Sequence, residues 1–197
     1  MTTPAAARKA RQLAEREERI VVAARTLAEE QGWEAVTMRR LADAIEYSQP
    51  VLYGHFPEGR SQIVTAVALV GFDELAAAMV ATGPASGPAV TGAERVRALV
   101  TAYLDFAERH PATYEAMFRL PIGTPFASVE TPRALRDAFD TIVGVLRDLD
   151  HPPADLQTGA EVLWGAMHGI ATLWLAARFS PENQDRRVDE LVRRFAG

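Results

Sequence analysis

The sequence predicts an all-α protein, and three observations carry that prediction. Alanine supplies 35 of 197 residues and is the strongest helix former. Runs of β-branched residues long enough for a strand are scarce. Apolar residues recur instead at spacings of three and four, the period of a helix with one buried face.

Each element has its own signal. Glu15 to Gln31 reads as the first helix, with Ile20, Val21, Ala24, Leu27 and Ala28 inward and Gly32 as its stop. Thr37 caps the second, whose inner face is Met38, Leu41, Ala42 and Ile45. Glu46-Tyr47 turns the chain. Ser48 caps a third helix with Pro50 in its first turn, where a missing N–H costs little, and Pro57 and Gly59 end it. A longer helix runs from about Arg60 to Ala81. The Gly- and Pro-rich stretch from Gly83 to near Gly92 is the clearest linker. Helices then follow over Ala93–Arg109 and Ala112–Arg119, with an irregular loop from Leu120 to Glu130. Thr131-Pro132 opens a helix to Leu149, striped by Leu135, Phe139, Ile142, Val143 and Leu146. His151-Pro152-Pro153 breaks it. Asp155 to Phe179 is the most apolar helix, and Ser180-Pro181 starts the last, ending near Phe195.

Composition excludes several function classes. With no cysteine there is no disulfide framework, thiolate metal site or Cys nucleophile. No apolar leader opens the chain, and its most apolar C-terminal stretch without a formal charge, Val162 to Ala177, is 16 residues, shorter than the ~20 of a membrane span. A soluble, cytoplasmic protein is expected. The net charge of −5 is unevenly spread. Residues 1–60 carry nine basic and nine acidic side chains, whereas 61–197 carry 12 and 17. Arg8, Lys9 and Arg11 open the chain without an acid among them, forming a basic arm. Such asymmetry suits two parts with different partners.

Thr37 to Phe56 reads as two short helices joined by a tight turn, the arrangement by which a helix-turn-helix braces one helix and places the second in the major groove of DNA. Met38, Leu41, Ile45, Leu52 and Phe56 lock the pair. Gln49, Pro50, Val51, Gly54 and His55 stay near the surface. Spacing alone is shared with many helical hairpins. The run Thr37-Met38-Arg39-Arg40-Leu41-Ala42-Asp43-Ala44-Ile45, then Ser48-Gln49-Pro50-Val51-Leu52-Tyr53-Gly54-His55-Phe56-Pro57, preceded by Gly32-Trp33 and Val36, resembles the signature of the TetR family of transcriptional regulators. The match covers about residues 15–65. It implies an all-α homodimer with a DNA-binding domain over 1–62 and a helical effector-binding and dimerisation domain over 63–197.

The resemblance carries roles to particular residues. Thr37 and Tyr53 stand where the family contacts phosphate, and Arg60 where it usually places a phosphate-binding Lys. Arg39, Ser48, Gln49, Pro50, Val51 and His55 complete the candidate DNA contacts. Gln pairs bidentately with adenine, and Val touches a thymine methyl. His55 is either a groove contact or a packed or capping residue. Glu46 stands where the family often has Gly, which asks for a less relaxed turn and places a carboxylate near the duplex backbone.

The C-terminal part resembles its relatives less. Trp164-Gly165-Ala166-Met167-His168-Gly169 is similar to the tryptophan–histidine–glycine motif of one C-terminal subgroup. The helix from Asp155 is apolar nearly all round and must be covered on more than one side. Gly165, Gly169, Thr172 and Ala176 let another backbone approach. Together with the last helix it forms the expected homodimer interface. Tyr103, Phe106, Tyr114, Met117, Phe118, Trp164, Met167 and His168 are the candidate lining for a small apolar or aromatic effector. Trp164 and His168 are equally read as structural. Family resemblance implies that an effector shifts the fourth helix and alters the separation of two reading heads.

No enzymatic signature is present, neither a nucleophile elbow, a phosphate loop, a dinucleotide fingerprint nor a metal-binding His pair on a helix. No cofactor is implied. The reading is a dimeric regulator of the repressor type acting on a palindromic double-stranded operator. Its rival is a helical protein–protein adaptor that does not read DNA.

Overall fold

The structure, a computed structural model, describes residues 3–81, 90–125 and 128–197. Among the described residues it holds nine α-helices, two 3₁₀ turns and no strand. In chain order these are α1 (Pro4–Gln31), a 3₁₀ turn (Trp33–Ala35), α2 (Met38–Ala44), α3 (Gln49–His55), α4 (Arg60–Ala81), α5 (Gly92–Arg109) and α6 (Pro111–Phe118). They continue with α7 (Arg133–Arg147), α8 (Leu156–Leu175), a 3₁₀ turn (Pro181–Asn183) and α9 (Gln184–Ala196). Most of the expected Gly/Pro linker, 83–89, lies outside the described residues.

Three boundaries differ from the sequence expectation. α1 begins eleven residues early, at Pro4, because Thr3 caps it, its Oγ1 accepting from Ala6 N at 3.3 Å, with Pro4 in the first turn. Thr3 to Arg19 are exposed throughout, so these turns carry no apolar periodicity to detect. α7 starts at Arg133 because the Thr131 hydroxyl accepts from Ser128 N (2.9 Å) and not from the helix. α8 stops at Leu175, four residues short of Phe179. Ala177 there adopts φ +52, and Arg178 N donates to Leu173 O at 2.8 Å, closing a Schellman end.

The described residues cluster into two compact units. The first takes those up to Gly71 together with Ala112–Thr124; the second takes those of Phe72–Pro111 and Pro125–Gly197. In the first, Ile20, Ala24, Leu41, Leu52 and Ile63 are fully buried, so α1 to α4 share one core. α6 joins it closely. A Cβ on Gly71 of α4 would sit 2.7 Å from both Met117 Sδ and Thr113 Cγ2, so only glycine admits that approach. In the second unit α5 packs against α9 and α8, and α7 against α8. Val96, Leu99, Tyr103, Leu146, Leu163 and Met167 lie in its core. α4 is the one described helix long and apolar enough to cross a membrane by length and composition. Its Ile63, Val64, Val67, Ala68, Phe72, Leu75 and Met79 are buried within the protein.

Candidate nucleic-acid interface

The short helices α2 and α3 are held by local chemistry. Thr37 Oγ1 accepts from Arg40 N at 3.2 Å, as an N-cap should. A hydroxyl accepting in this way keeps its own proton to donate elsewhere. α2 ends with Glu46 at φ +57 and Tyr47 N donating to Ala42 O at 3.0 Å. This is the less relaxed turn expected of Glu at a glycine position. Ser48 precedes α3 in extended conformation, but its hydroxyl makes no cap hydrogen bond. Pro50 removes an N–H that the first turn would leave unpaired.

One surface of α3 is open. Ser48, Gln49, Pro50, Val51, Tyr53 and Gly54 are exposed. Leu52 and Phe56, buried on the other side, fasten the helix to the core. Tyr53 is 47% exposed, and its ring lies beside Gly59, where a Cβ would meet Tyr53 Cε1 at 3.3 Å. Gly59 has φ +65, so the bend into α4 favours glycine, and a side chain there would also crowd the Tyr53 ring.

His55 lies apart from this surface. Its side chain is 6% exposed, and Nδ1 lies 3.3 Å from Glu17 Oε1 of α1. In the tautomer protonated at Nδ1, the ring donates to that carboxylate and ties the end of α3 to α1. The packed alternative raised for His55 describes its position.

Three arginines flank these helices, and they differ. Arg39 is exposed and makes no ion pair among the described residues. Arg40 donates to Gln31 Oε1 (2.6 Å) and Ala35 O (3.4 Å). Arg60 donates through Nε to Val36 O and through Nη2 to Trp33 O, both at 3.0 Å. Two guanidiniums thus hold the carbonyls of residues 33–36, the segment that delivers Thr37. The family resemblance places Arg60 at a phosphate, and nothing local in the sequence singles out Arg40. Their partners, the Gln31 side chain and carbonyls in and just after the short 3₁₀ turn, are brought to them by packing and leave no sequence signature.

Three further anchors were equally hidden. Glu29 of α1 caps the start of α6, its Oε1 accepting from Thr113 N (2.9 Å) and Thr113 Oγ1 (2.7 Å), and its Oε2 from Ala112 N (3.0 Å). Trp33 Nε1 donates to Ala112 O at 2.7 Å. Arg19 donates to the Tyr47 hydroxyl at 2.9 Å, with its guanidinium 5.1 Å from that ring.

The candidate effector residues divide between the units. Tyr114, Met117 and Phe118 lie in the first, and Tyr103, Phe106, Trp164, Met167 and His168 in the second. Tyr103, Phe106, Tyr114, Met117 and Met167 are each at most 2% exposed, so they are packed as core. In the second unit Trp164 Nε1 donates to the buried Tyr103 hydroxyl at 3.2 Å and meets Phe139 edge-on at 6.2 Å. His168 is half buried, 3.4 Å from Thr172 Oγ1, and desolvation pushes its pKa below the ordinary histidine value. A separate open groove of about 320 Å³ runs between α8 and α9, lined by Ile170, Asn183, Arg186, Arg187, Leu191 and Arg194 among others. None of the candidate effector residues lines it.

Among the described residues no group of three His, Asp or Glu is placed to hold a metal ion. The outer face of α8 is unusually bare. Val162 and Leu173 are 58% and 41% exposed, and a Cβ added at Gly165 or Gly169 would meet nothing within 4 Å. At 3.6 residues per turn these four positions share one side of the helix.

Comparison with known proteins agrees with this geometry. The family model "Bacterial regulatory proteins, tetR family" matches residues 20–67, and "Tetracyclin repressor-like, C-terminal domain" matches 96–195. An uncharacterized HTH-type transcriptional regulator of Mycobacterium tuberculosis is 26% identical, over 91% of this chain and 79% of its own. The HTH-type transcriptional repressor KstR of the same organism is 25% identical, over 93% and 81%. A solved structure of a protein of unknown function from Rhodococcus sp. RHA1 superposes with a TM-score of 0.74 at 25% identity, over 92% and 95% of the two chains.

Proposed function

The chain belongs to the tetR family of bacterial regulatory proteins and is a DNA-binding transcriptional regulator rather than an enzyme; from that premise we propose a ligand-responsive repressor that binds a palindromic operator as a homodimer and leaves it when a small molecule binds. The observation that carries the reading is the open surface of α3, Gln49, Pro50, Val51 and Tyr53, above a buried Leu52 and Phe56. The adaptor alternative is set aside in favour of DNA.

Residues 1–62 form the reading domain of this proposal, and 63–197 the effector and dimerisation domain. Gln49 and Val51 meet base edges, with Pro50 keeping the start of α3 slim enough to approach them. Thr37, Ser48 and Tyr53 offer hydroxyl donors to phosphate, and Arg39 a free cation. Arg60 acts chiefly by holding the backbone before Thr37. His55 positions α3 and does not read bases. These roles follow from exposure and from which donors are already committed.

Dimerisation uses α8 and α9. The bare face of Val162, Gly165, Gly169 and Leu173 supports it, because a second helix can approach glycines closely and cover the exposed apolar side chains. Tyr103, Phe106, Trp164, Met167 and His168 form the effector lining of the second unit. Their close packing means that an apolar or aromatic effector enters by displacing side chains. Effector and operator then favour different states and exclude each other. A cytoplasmic location follows from an operator on the chromosome.

Selection of targets from a random duplex pool tests the reading. The expected product is an inverted repeat with half-sites about one helical turn apart, ~10 bp or a multiple of it. Gln49→Ala should relax preference at one position per half-site, by about 1–3 kcal/mol of discrimination. Failure of a folded, ligand-stripped protein to enrich any duplex overturns it.

A further inference from the structure

The helix-turn-helix alone is poorly charged for its task. Residues 37–60 hold Arg39, Arg40 and Arg60 against Asp43, Glu46 and Glu58. Arg40 and Arg60 are committed to the protein's own oxygens. Binding duplex DNA rests on neutralising phosphates, and a chain of net −5 must concentrate its cations where the duplex lies.

The opening turns of α1 supply such a concentration. From Thr3 to Arg19 every residue is exposed, yet the helix is continuous from Pro4. Ala5, Ala6, Ala7, Ala10 and Ala14 sustain it by propensity, without a core. The segment carries five basic and three acidic side chains. At 3.6 residues per turn, Arg8, Lys9, Gln12, Arg16 and Arg19 fall within about 100° of the helix circumference. Glu17 and Glu18 lie well outside that arc, and Glu15 borders it about 20° beyond Arg8. Among the described residues the side chains of Arg8, Lys9 and Arg16 make no ion pair or hydrogen bond. The row is joined to the reading unit at its inner end. Arg19 meets Tyr47 in the turn before α3, and Glu17 meets His55 at the end of α3.

Resting on the DNA-binding reading, we propose that this basic row of α1 is a second DNA-binding surface, which grips the phosphates of duplex flanking the operator half-site. From Arg16 back to Pro4 the helix extends about 20 Å at 1.5 Å per residue. That length spans about six base pairs at 3.4 Å each. Arg8, Lys9 and Arg16 bind phosphates without regard to sequence, and Gln12 between them offers an amide to the same backbone. The surface therefore adds affinity and salt dependence but no base preference.

The test compares two duplexes with one enriched operator. One is trimmed to the half-site edges, and the other carries about ten extra base pairs on each side. Binding of the full chain and of the triple variant Arg8→Ala, Lys9→Ala, Arg16→Ala is titrated against salt. These side chains hold no other partner and alanine preserves the helix, which circular dichroism verifies. On the long duplex, near 0.15 M salt, the variant should bind roughly fivefold more weakly for each phosphate it no longer neutralises. Its log–log salt slope should fall by about 0.9 for each such phosphate. On the trimmed duplex the two proteins should match, and the base preference should be unchanged on both. Equal affinity and slope on the long duplex would overturn the inference while leaving the α3 reading intact. Absence of binding to either duplex by the parent protein would overturn both.

Discussion

Glu46 stores strain in the turn between α2 and α3, and the structure permits its size to be worked out. Its φ of +57 lies in the left-handed region, which costs an L-residue about 1–2 kcal/mol. The side chain is exposed and makes no ion pair among the described residues, so removing it loses no packing. Glycine relieves the strain but frees the unfolded chain, returning about 0.5–1 kcal/mol of the gain. Glu46→Gly should therefore stabilise by about 0.5–1 kcal/mol, or about 1–4 °C in Tm for a chain of this length. It also removes a carboxylate beside the proposed phosphate contacts, so operator affinity should rise, most at low salt. Glu46→Ala separates the two effects. It keeps the strain and removes the charge, so it should share the gain in affinity with little gain in Tm. Ala177→Gly is the complementary control, since Ala177 has φ +52 at the same kind of helix end, far along the chain from α3. It should raise Tm similarly and leave DNA binding unchanged. Differential scanning calorimetry and a salt-dependent binding assay read both quantities. A Tm for Glu46→Gly at or below that of the parent, or an equal rise for Glu46→Ala, would refute the strain account.

Other perturbations follow from the same contacts. Arg60→Ala should cost about 1–2 kcal/mol of stability, because the Trp33 and Val36 carbonyls lose a charged donor. Arg60→Lys restores charge but not the two-carbonyl grip, so it should leave operator affinity low; full rescue in a binding assay would assign Arg60 to phosphate instead. Glu29→Ala strips three donors at the start of α6 of their acceptor and should destabilise by about 1–3 kcal/mol in a denaturant titration. His168 has its folded pKa depressed by burial, so the folded state resists its protonation. Its contribution is intact above the unfolded value of about 6.5 and is lost as pH falls below that value toward the folded pKa. His168→Gln should therefore flatten the fall in Tm between pH 7 and pH 5, measured by thermal scans; an unchanged profile would place the titrating group elsewhere.

The reading helices were legible in the sequence because their determinants are local. Thr37 caps α2 through a residue three positions away, Pro50 suits only a first turn, and Leu41, Leu52 and Phe56 fall at helical spacing. The α4 boundaries, Arg60 to Ala81, were legible for the same reason, a long apolar period between a Gly-containing bend and a Gly/Pro-rich stretch. The strained turn at Glu46 could be anticipated from a residue type that does not suit its position.

What tertiary structure alone decided is where the polar side chains spend their hydrogen bonds. Arg60 reaches carbonyls 24 and 27 residues back along the chain, His55 meets Glu17 across 38 positions, and Glu29 caps a helix 84 residues on. No local period records such pairings, since each depends on two elements being packed side by side. The opening turns of α1 fail to show in the sequence for the converse reason. None of their residues is buried, and a helix with no buried face leaves no apolar stripe. Residue types therefore determined an all-α chain with a short helical hairpin, and the hairpin's resemblance to the TetR signature pointed to DNA. Only folding, by bringing distant donors and acceptors within 3 Å or so, separated the cations that hold the protein together from those left for a partner.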